Sequence, residues 1–569
     1  MKLSMVKKSY NRYNLLKSLA LIALLHASNL YAITLEQGME ENLKLDRQNA
    51  NTQRLAKIMQ LLKKLKSPSK ISGKFKKEEK CVDIHTINVQ GVSLIDNKTI
   101  NATVEPFTNK CLGRMNINSI MKLLNQLYFN RGYITARTYL PKQKTSQGIL
   151  KLTIIEGKIN KLSSNNKSLY LNNLFSDKSE SYLNIRNLEQ GTDQINRLEG
   201  YQSKADIKPT SKIGYSDVII KSTYKKNVYF RSGFDNSGSE STGTIMANIG
   251  TSINNLVGIN DQLMIDLKSN SKPDEGKKLN RTISLSYDVP YVDWNFGTRL
   301  NETKSISLVN NNLLVNGQSV AAQLKNINRN IEIYAKKNIY RDESQKILFN
   351  ISWHKKNKVS QVSKVNVEVS TYTRSHLSAG INLSKKIKKN SSYSLDFKIK
   401  QGLGTKVVFH NSSGEITPTP KNFPKKHFTI YKIGGSYNTM LANKIKLKLA
   451  FDSQYSNDIL FGGEMFQIGG AGSVRGHSNI AISGAKGAYL RSTFSFTGLS
   501  KDIPLNPQFY VLYDIGYIVP SPKTNGGRLD GKGIGVKLNI FNQRLSLEYG
   551  ENYRRKRDHA FSVSFNASF

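Results

Sequence analysis

The chain has 569 residues, more than one ordinary hydrophobic core can organise, so several domains or one large closed sheet with accessories is expected. Lys+Arg total 84 against 41 Asp+Glu, a formal charge of +43, and only 38% of residues are hydrophobic. After the N-terminus no stretch supplies about 18 consecutive apolar residues, which excludes a bundle of membrane helices. The charge admits nucleic-acid binding, contact with anionic lipid, or a uniformly lysine-rich composition; its even scatter along the chain favours the last.

In chain order, the basic residues Lys2, Lys7, Lys8, Arg12 and Lys17 precede the short apolar run Leu19 to Ala27. Residues 1–32 read as a secretory signal peptide cut after Ala32, and export to an oxidising compartment makes a nucleic-acid partner unexpected. Residues 33–66 hold a helical pattern with Leu55, Ile58, Met59, Leu62 and Leu65 on one stripe; residues 67–80, with Pro68 and Gly73, read as a linker. In an exported chain the two cysteines, Cys81 and Cys111, are expected to form one disulfide, since they lack the nearby His pair a zinc site needs.

Residues 81–157 read as strand, two helices, strand, strand; Ile120, Leu123, Leu124, Leu127 and Tyr128 give the second helix its core face, and Gly132 ends it. Residues 158–226 read as a shorter copy, one helix followed by the strands SKADIKPTS and SDVIIKSTY. From about 227 onward period-two alternation takes over, as in Phe509, Val511, Tyr513, Ile515 and Tyr517 against Tyr510, Leu512, Asp514 and Gly516. Local alternation suits a soluble sandwich as well as a transmembrane barrel. Export, abundant Tyr and Phe, and a last strand with Phe561, Val563, Phe565, Ala567 and Phe569 on one face select the barrel. Sixteen strands would leave about 21 residues per strand and connection in 227–569.

The loop IGGAGSVRGH, Ile468 to His477, is rich in glycine (Gly469, Gly470, Gly476) and presents Val474, Arg475 and His477. Inside a barrel Arg475 requires a carboxylate, and Asp514, on the inward parity of its strand, is the candidate; locally, a surface turn with an incidental Arg fits the loop equally well. Eight scattered His and no GxxxxGK[ST] loop leave no reaction, metal or nucleotide cofactor to assign; GKGIG at 531–535 lacks the required ending.

These segments together resemble the outer-membrane transporters of two-partner secretion, the haemolysin-activator type of the Omp85 superfamily. The resemblance rests on CVDIHTI from Cys81, RGYITARTYLPKQ (131–143), LKLTIIEGKI (150–159), LNIRNLEQGTDQINRL (183–198), GYSDVII (214–220), GFDNSGSESTG (233–243), NNLVGINDQL (254–263), the VRG loop and YDIGY. It implies a mainly β fold: a 16-stranded transmembrane barrel (227–569), an N-terminal helix (33–66) that plugs it, and two periplasmic α/β POTRA domains (81–157 and 158–226), with the lumenal loop near 468–487. It implies a partner, a large unfolded exoprotein such as a haemolysin, adhesin or contact-dependent inhibition toxin, bound by a POTRA region that includes Arg131, Gly132, Tyr133, Asn187, Glu189 and Gln190. It further implies outer-membrane lipid around the barrel, and recognition of the terminal Phe569 by the barrel-assembly machinery. Some members also activate the exoprotein. His477 stands where the family usually carries Tyr or Phe, a tolerated substitution in preference to a pH switch, and LRSTF lacks an acid often seen there. An Omp85-type membrane-protein insertase and a solute porin are the alternatives.

Overall fold

The computed structural model describes residues 75–569 apart from 146, 225, 316–317, 389, 407–408, 411–415, 418–422, 478–479, 497–506, 522–525, 541 and 553–557. The expected signal peptide, plug helix and most of the linker lie outside the described residues.

The first domain opens with a ribbon of Cys81–Ile84 paired to Lys110–Gly113, closed by the Cys81–Cys111 disulfide with Cα atoms 5.2 Å apart. Helix α1 (Asn97–Val104) starts where Asp96 accepts from the Thr99 amide at 2.7 Å. Helix α2 (Arg114–Asn130) buries Ile120, Leu124 and Tyr128, spaced at helical period. Its N-terminus has no local cap; instead Glu78 accepts from the amides of Met115 and Asn116 at 2.9 and 2.8 Å, placing a carboxylate on the positive end of the helix. Both helices pack on a three-stranded sheet in which Thr86–Gln90 runs parallel to Ile149–Ile155, and that strand pairs antiparallel with Arg137–Tyr139 at the edge.

The second domain repeats this sheet: Lys158–Ser164 lies parallel to Tyr215–Thr223, which pairs antiparallel with Gln202–Pro209, and helix α3 (Ile185–Asn196) packs on it. The expected order was helix then two strands. The strand Lys158–Ser164 is an addition, hidden in the sequence because a register shift between Ile159 and Lys161 breaks the alternation. A short 3-10 turn, Leu171–Asn173, stands where the first domain has α1.

Among the described residues, sixteen strands of eight or more residues close the barrel. They are β1 (Val228–Asp235), β2 (Met246–Asn254), β3 (Gln262–Asn270), β4 (Leu279–Tyr291), β5 (Trp294–Val315), β6 (Gln318–Arg341), β7 (Gln345–Val362) and β8 (Tyr372–Lys388). The second half comprises β9 (Ser391–Lys406), β10 (Thr429–Ala442), β11 (Ile445–Tyr455), β12 (Gly487–Phe496), β13 (Gln508–Ile518), β14 (Gly527–Ile540), β15 (Gln543–Asn552) and β16 (His559–Ser568). Each pairs antiparallel with the next, and β16 returns to β1.

Alternation places one parity outside and the other within: on β13, Phe509, Val511, Tyr513 and Tyr517 are exposed, whereas Tyr510, Leu512, Asp514 and Ile518 are buried. Around the barrel Ile283, Phe397, Ile433, Leu490, Val511 and Phe561 are all exposed. A continuous apolar belt of this extent is unstable in water and fits the hydrocarbon of a membrane, where closure satisfies every ladder amide. At the seam, Ser564–Ser568 pair with Asp235–Arg231, Phe565 stacks on Phe234 at 5.5 Å, and Phe569 exchanges backbone hydrogen bonds with Phe230 at 2.8 and 3.2 Å. Above these pairs the Asn236 side chain takes over: its oxygen accepts from the Val563 amide at 2.9 Å and its nitrogen donates to the Phe561 carbonyl.

Candidate functional site

Between β11 and β12 the loop 456–486 folds back against the inner wall instead of standing free. A ribbon of Phe466–Ile468 and Ile482–Gly484 shapes it, and Phe466, Ile468 and Val474 bury themselves with Ile518 and Leu529. Gly469 and Gly476 have φ of 111° and 91°, and a Cβ on Gly476 would meet the Glu551 carbonyl at 2.8 Å, so glycine is required there. Gly470 also has positive φ, 84°.

The turn delivers Arg475 to Asp514. Nε and Nη2 donate to the two carboxylate oxygens at 2.7 and 2.8 Å, the Arg475 amide adds a third bond at 3.1 Å, and Nη1 reaches Glu548 at 3.3 Å. Thr493 Oγ1 accepts from Nη2 at 3.1 Å. Arg475 is 6% exposed and Asp514 is fully buried, so this is a bidentate pair removed from water with its remaining sites satisfied. His477, two residues further on, is buried, its Nδ1 2.7 Å from Asp558 Oδ2. A carboxylate partner thus engages one ring nitrogen of the buried imidazole.

A second anchor escaped the sequence reading. Glu464, at the root of the loop, lies 2.8 Å from Lys356 Nζ, 2.6 Å from Arg374 Nη2 and 3.2 Å from Lys400 Nζ, on β7, β8 and β9. The rings of Tyr372 and Phe461 pack on each other at 4.6 Å, and the Arg374 guanidinium lies over both, 5.3 and 5.4 Å from their centroids. The only local signal was one acid set among apolar residues in LFGGEMF; its partners lie 64 to 108 residues away.

The six candidate client-contact residues do not share a surface. Arg131, Gly132 and Tyr133 form the joint between the two domains: Gly132, at φ 93°, accepts from the Ile185 amide at 2.9 Å, and Asn184 donates to the Arg131 carbonyl at 3.2 Å. Tyr133 meets Tyr128 edge-on at 6.3 Å. Asn187 donates to Asp177 at 2.8 Å within the second domain. Glu189 and Gln190 face the barrel instead of open solvent: Arg341 comes within 3.5 Å of Glu189, and Gln190 accepts from Arg341 at 3.2 Å. The α3 face that carries them is the dock. Asp193 holds Arg341 at 2.7 Å and Lys346 at 3.4 Å, Gln194 donates to the Trp294 carbonyl at 3.1 Å, and Arg197 pairs with Asp288.

Burial pushes the Asp193 carboxyl upward, yet Arg341 and Lys346 outweigh it and hold the group below its ordinary value. In the first domain burial likewise opposes ionisation of Glu156, but hydrogen bonds from Ser93, Tyr128 and the Ser93 and Leu94 amides win and lower it. The sheet of that domain has two outer strands, Thr86–Gln90 and Arg137–Tyr139; on the latter the Thr138 amide is taken by Asn125 at 2.8 Å. A groove of about 630 Å³ is lined by Cys81, Val82, Leu112, Arg114, Ile117 and Leu140, and another of about 410 Å³ borders Thr86 and Ile87.

A closed barrel with an apolar belt, a lumen occupied by a glycine-hinged arginine loop, and two small α/β domains in tandem define a transmembrane barrel of the Omp85 type. The chain belongs to the haemolysin secretion/activation family ShlB/FhaC/HecB, whose model matches residues 214–538, more than half of the sequence. Residues 82–157 match the ShlB-type POTRA domain and 158–209 a second POTRA domain. The chain is 27% identical over 475 residues to the outer membrane transporter CdiB of Dickeya dadantii (strain 3937), covering 80% of each. It is 26% identical over 478 residues to the hemolysin transporter protein ShlB of Serratia marcescens, covering 82% of this chain and 81% of that one. The solved structure of CdiB from Escherichia coli superposes with a TM-score of 0.79 at 21% identity, over 92% of this chain and 98% of that one, which fixes the fold. These relatives are transporters, and two-partner secretion across the outer membrane is the function class of the family.

Proposed function

We propose that the chain exports one large unfolded exoprotein from the periplasm to the cell surface through its barrel, without ATP. The POTRA domains lie on the periplasmic side and capture an extended client segment by strand addition, a mode that reads main chain more than sequence. The carrying observation is that the first domain's sheet has outer strands, Thr86–Gln90 and Arg137–Tyr139, each with a strand neighbour on one side only among the described residues and each bordering an open groove. The residues first assigned to client contact support a different division of labour: Arg131–Tyr133 set the angle between the POTRA domains, while Glu189 and Gln190 fasten the second to the barrel. Client folding outside the cell biases the passage, because a folded segment cannot slide back.

Removing residues 82–157 tests this, since the α3 dock is untouched. The expected result is an assembled barrel in the outer membrane and an exoprotein retained in the periplasm; undiminished secretion would remove the capture step. Loss of many outer-membrane proteins on depletion would favour the insertase, and solute uptake without secretion the porin.

A further inference from the structure

The two ends of the lumenal loop are fastened by unequal electrostatics. At the tip, Arg475 and Arg491 face Asp514 and Glu548, so cations and acids balance. At the root, the single carboxylate of Glu464 answers three cations, Lys356, Arg374 and Lys400. Glu332, on the same wall, is engaged by Arg299 at 3.0 Å and sits 3.7 Å from His354. The site is buried: Glu464 is 4% exposed and Arg374 2%, and Nε and Nη1 of Arg374 and both ring nitrogens of His376 have no hydrogen-bond partner among the described residues. His376 stacks on His354 at 4.4 Å. The wall is therefore a recess of excess positive charge and unused donors, built around a carboxylate the loop supplies.

Lifting the loop root would leave three cations with no acid in ion-pair contact among the described residues, a state disfavoured unless another anion takes the place of Glu464. A polypeptide threading the lumen carries such groups. We propose that the Lys356–Arg374–Lys400 recess is a carboxylate-exchange site: Glu464 fills it at rest, and acidic side chains of the passing extended chain replace it, freeing the loop root from the β7–β9 wall. The proposal rests on the secretion reading above and names the chemistry of the client segment that this part of the lumen favours. The tip pair, being balanced, stays fastened while the root exchanges.

The test uses the full-length protein in planar lipid bilayers, with current recorded while a short poly-L-glutamate peptide is added on the POTRA side. Poly-L-glutamine, poly-L-lysine and inorganic phosphate form the comparison arms. Poly-L-glutamate alone is expected to modulate the current. Glu464→Gln, which removes the resident charge but keeps its shape, should lower the half-effective concentration about tenfold. Lys356→Gln with Lys400→Gln should raise it about tenfold, and Glu464→Asp should behave as wild type. Should Glu464→Gln fail to assemble, Lys400→Gln alone decides, because Lys400 is partly exposed on the wall. Equal effects of the glutamate and glutamine peptides, or no change in any variant, overturn the proposal; a matching effect of phosphate overturns the polypeptide ligand in favour of a small anion. Secretion of the exoprotein by wild-type cells, measured in parallel, separates the two readings: normal secretion with charge-blind peptides sinks the exchange site alone, and absent secretion sinks the transport reading.

Discussion

Arg475 places its backbone amide and two guanidinium nitrogens on one buried carboxylate, so neither residue has a cheap substitute. Asp514→Ala removes three of the hydrogen bonds made by Arg475 and leaves the buried guanidinium with only Glu548, Thr493 and the Ser492 carbonyl; it should weaken the loop's attachment by about 3 kcal/mol. The barrel ladder is untouched, so heat-modifiable migration of the barrel should persist while secretion falls; normal secretion by this variant would show that the loop need not be fastened. Asp193 yields a pH prediction. Its carboxyl is held below the ordinary value, so its contribution is complete above about pH 4, the unfolded carboxylate value, and is lost as pH falls through the lower folded value. The thermal midpoint of the dock should drop in that acid range for wild type and much less for Asp193→Asn. The Arg475 and Asp514 positions were legible because a glycine-hinged arginine and an acid on an inward parity are both local patterns. Glu464 was not, since its meaning lies in three cations on other strands, and the contact of Glu189 and Gln190 with the barrel was not, because helix periodicity does not say which neighbour a polar face meets.

At the level of elements, the disulfide ribbon holds the entry of α2 against the first strand of its domain. Its loop spans 30 residues, which in the chain-entropy account corresponds to about 3–4 kcal/mol. Cys81→Ala with Cys111→Ala should lower the stability of this domain by that amount in denaturant titration while leaving the barrel intact. β16 gives a second prediction. Phe569 closes the seam through both its backbone groups and leaves its ring exposed. Deleting it should cut the amount of assembled barrel severalfold with little change in its thermal midpoint; an unchanged amount would deny Phe569 a role in assembly. The inward and outward faces of β13 and β16 were readable from strict alternation. The strand Lys158–Ser164 was missed because its bulge shifts Ile159 and Leu162 out of the period that marks a strand.

For the whole molecule, the decisive property was a contrast of solvents: residues arranged with their grease outward around a closed barrel fit lipid and not water. That contrast was visible in sequence, as was the tandem of small domains before it. How the tandem is seated was not visible, because the dock joins α3 to strand ends about 100 to 150 residues further along.

That seating has a mechanical corollary. Lys346, gripped by Asp193, and Lys356, gripped by Glu464, belong to the same strand, β7, ten residues or about 33 Å apart. A strand stitched along both edges behaves as an inextensible tie, so a pull on the POTRA end cannot be absorbed by slippage and is delivered to the wall where the loop root is clasped.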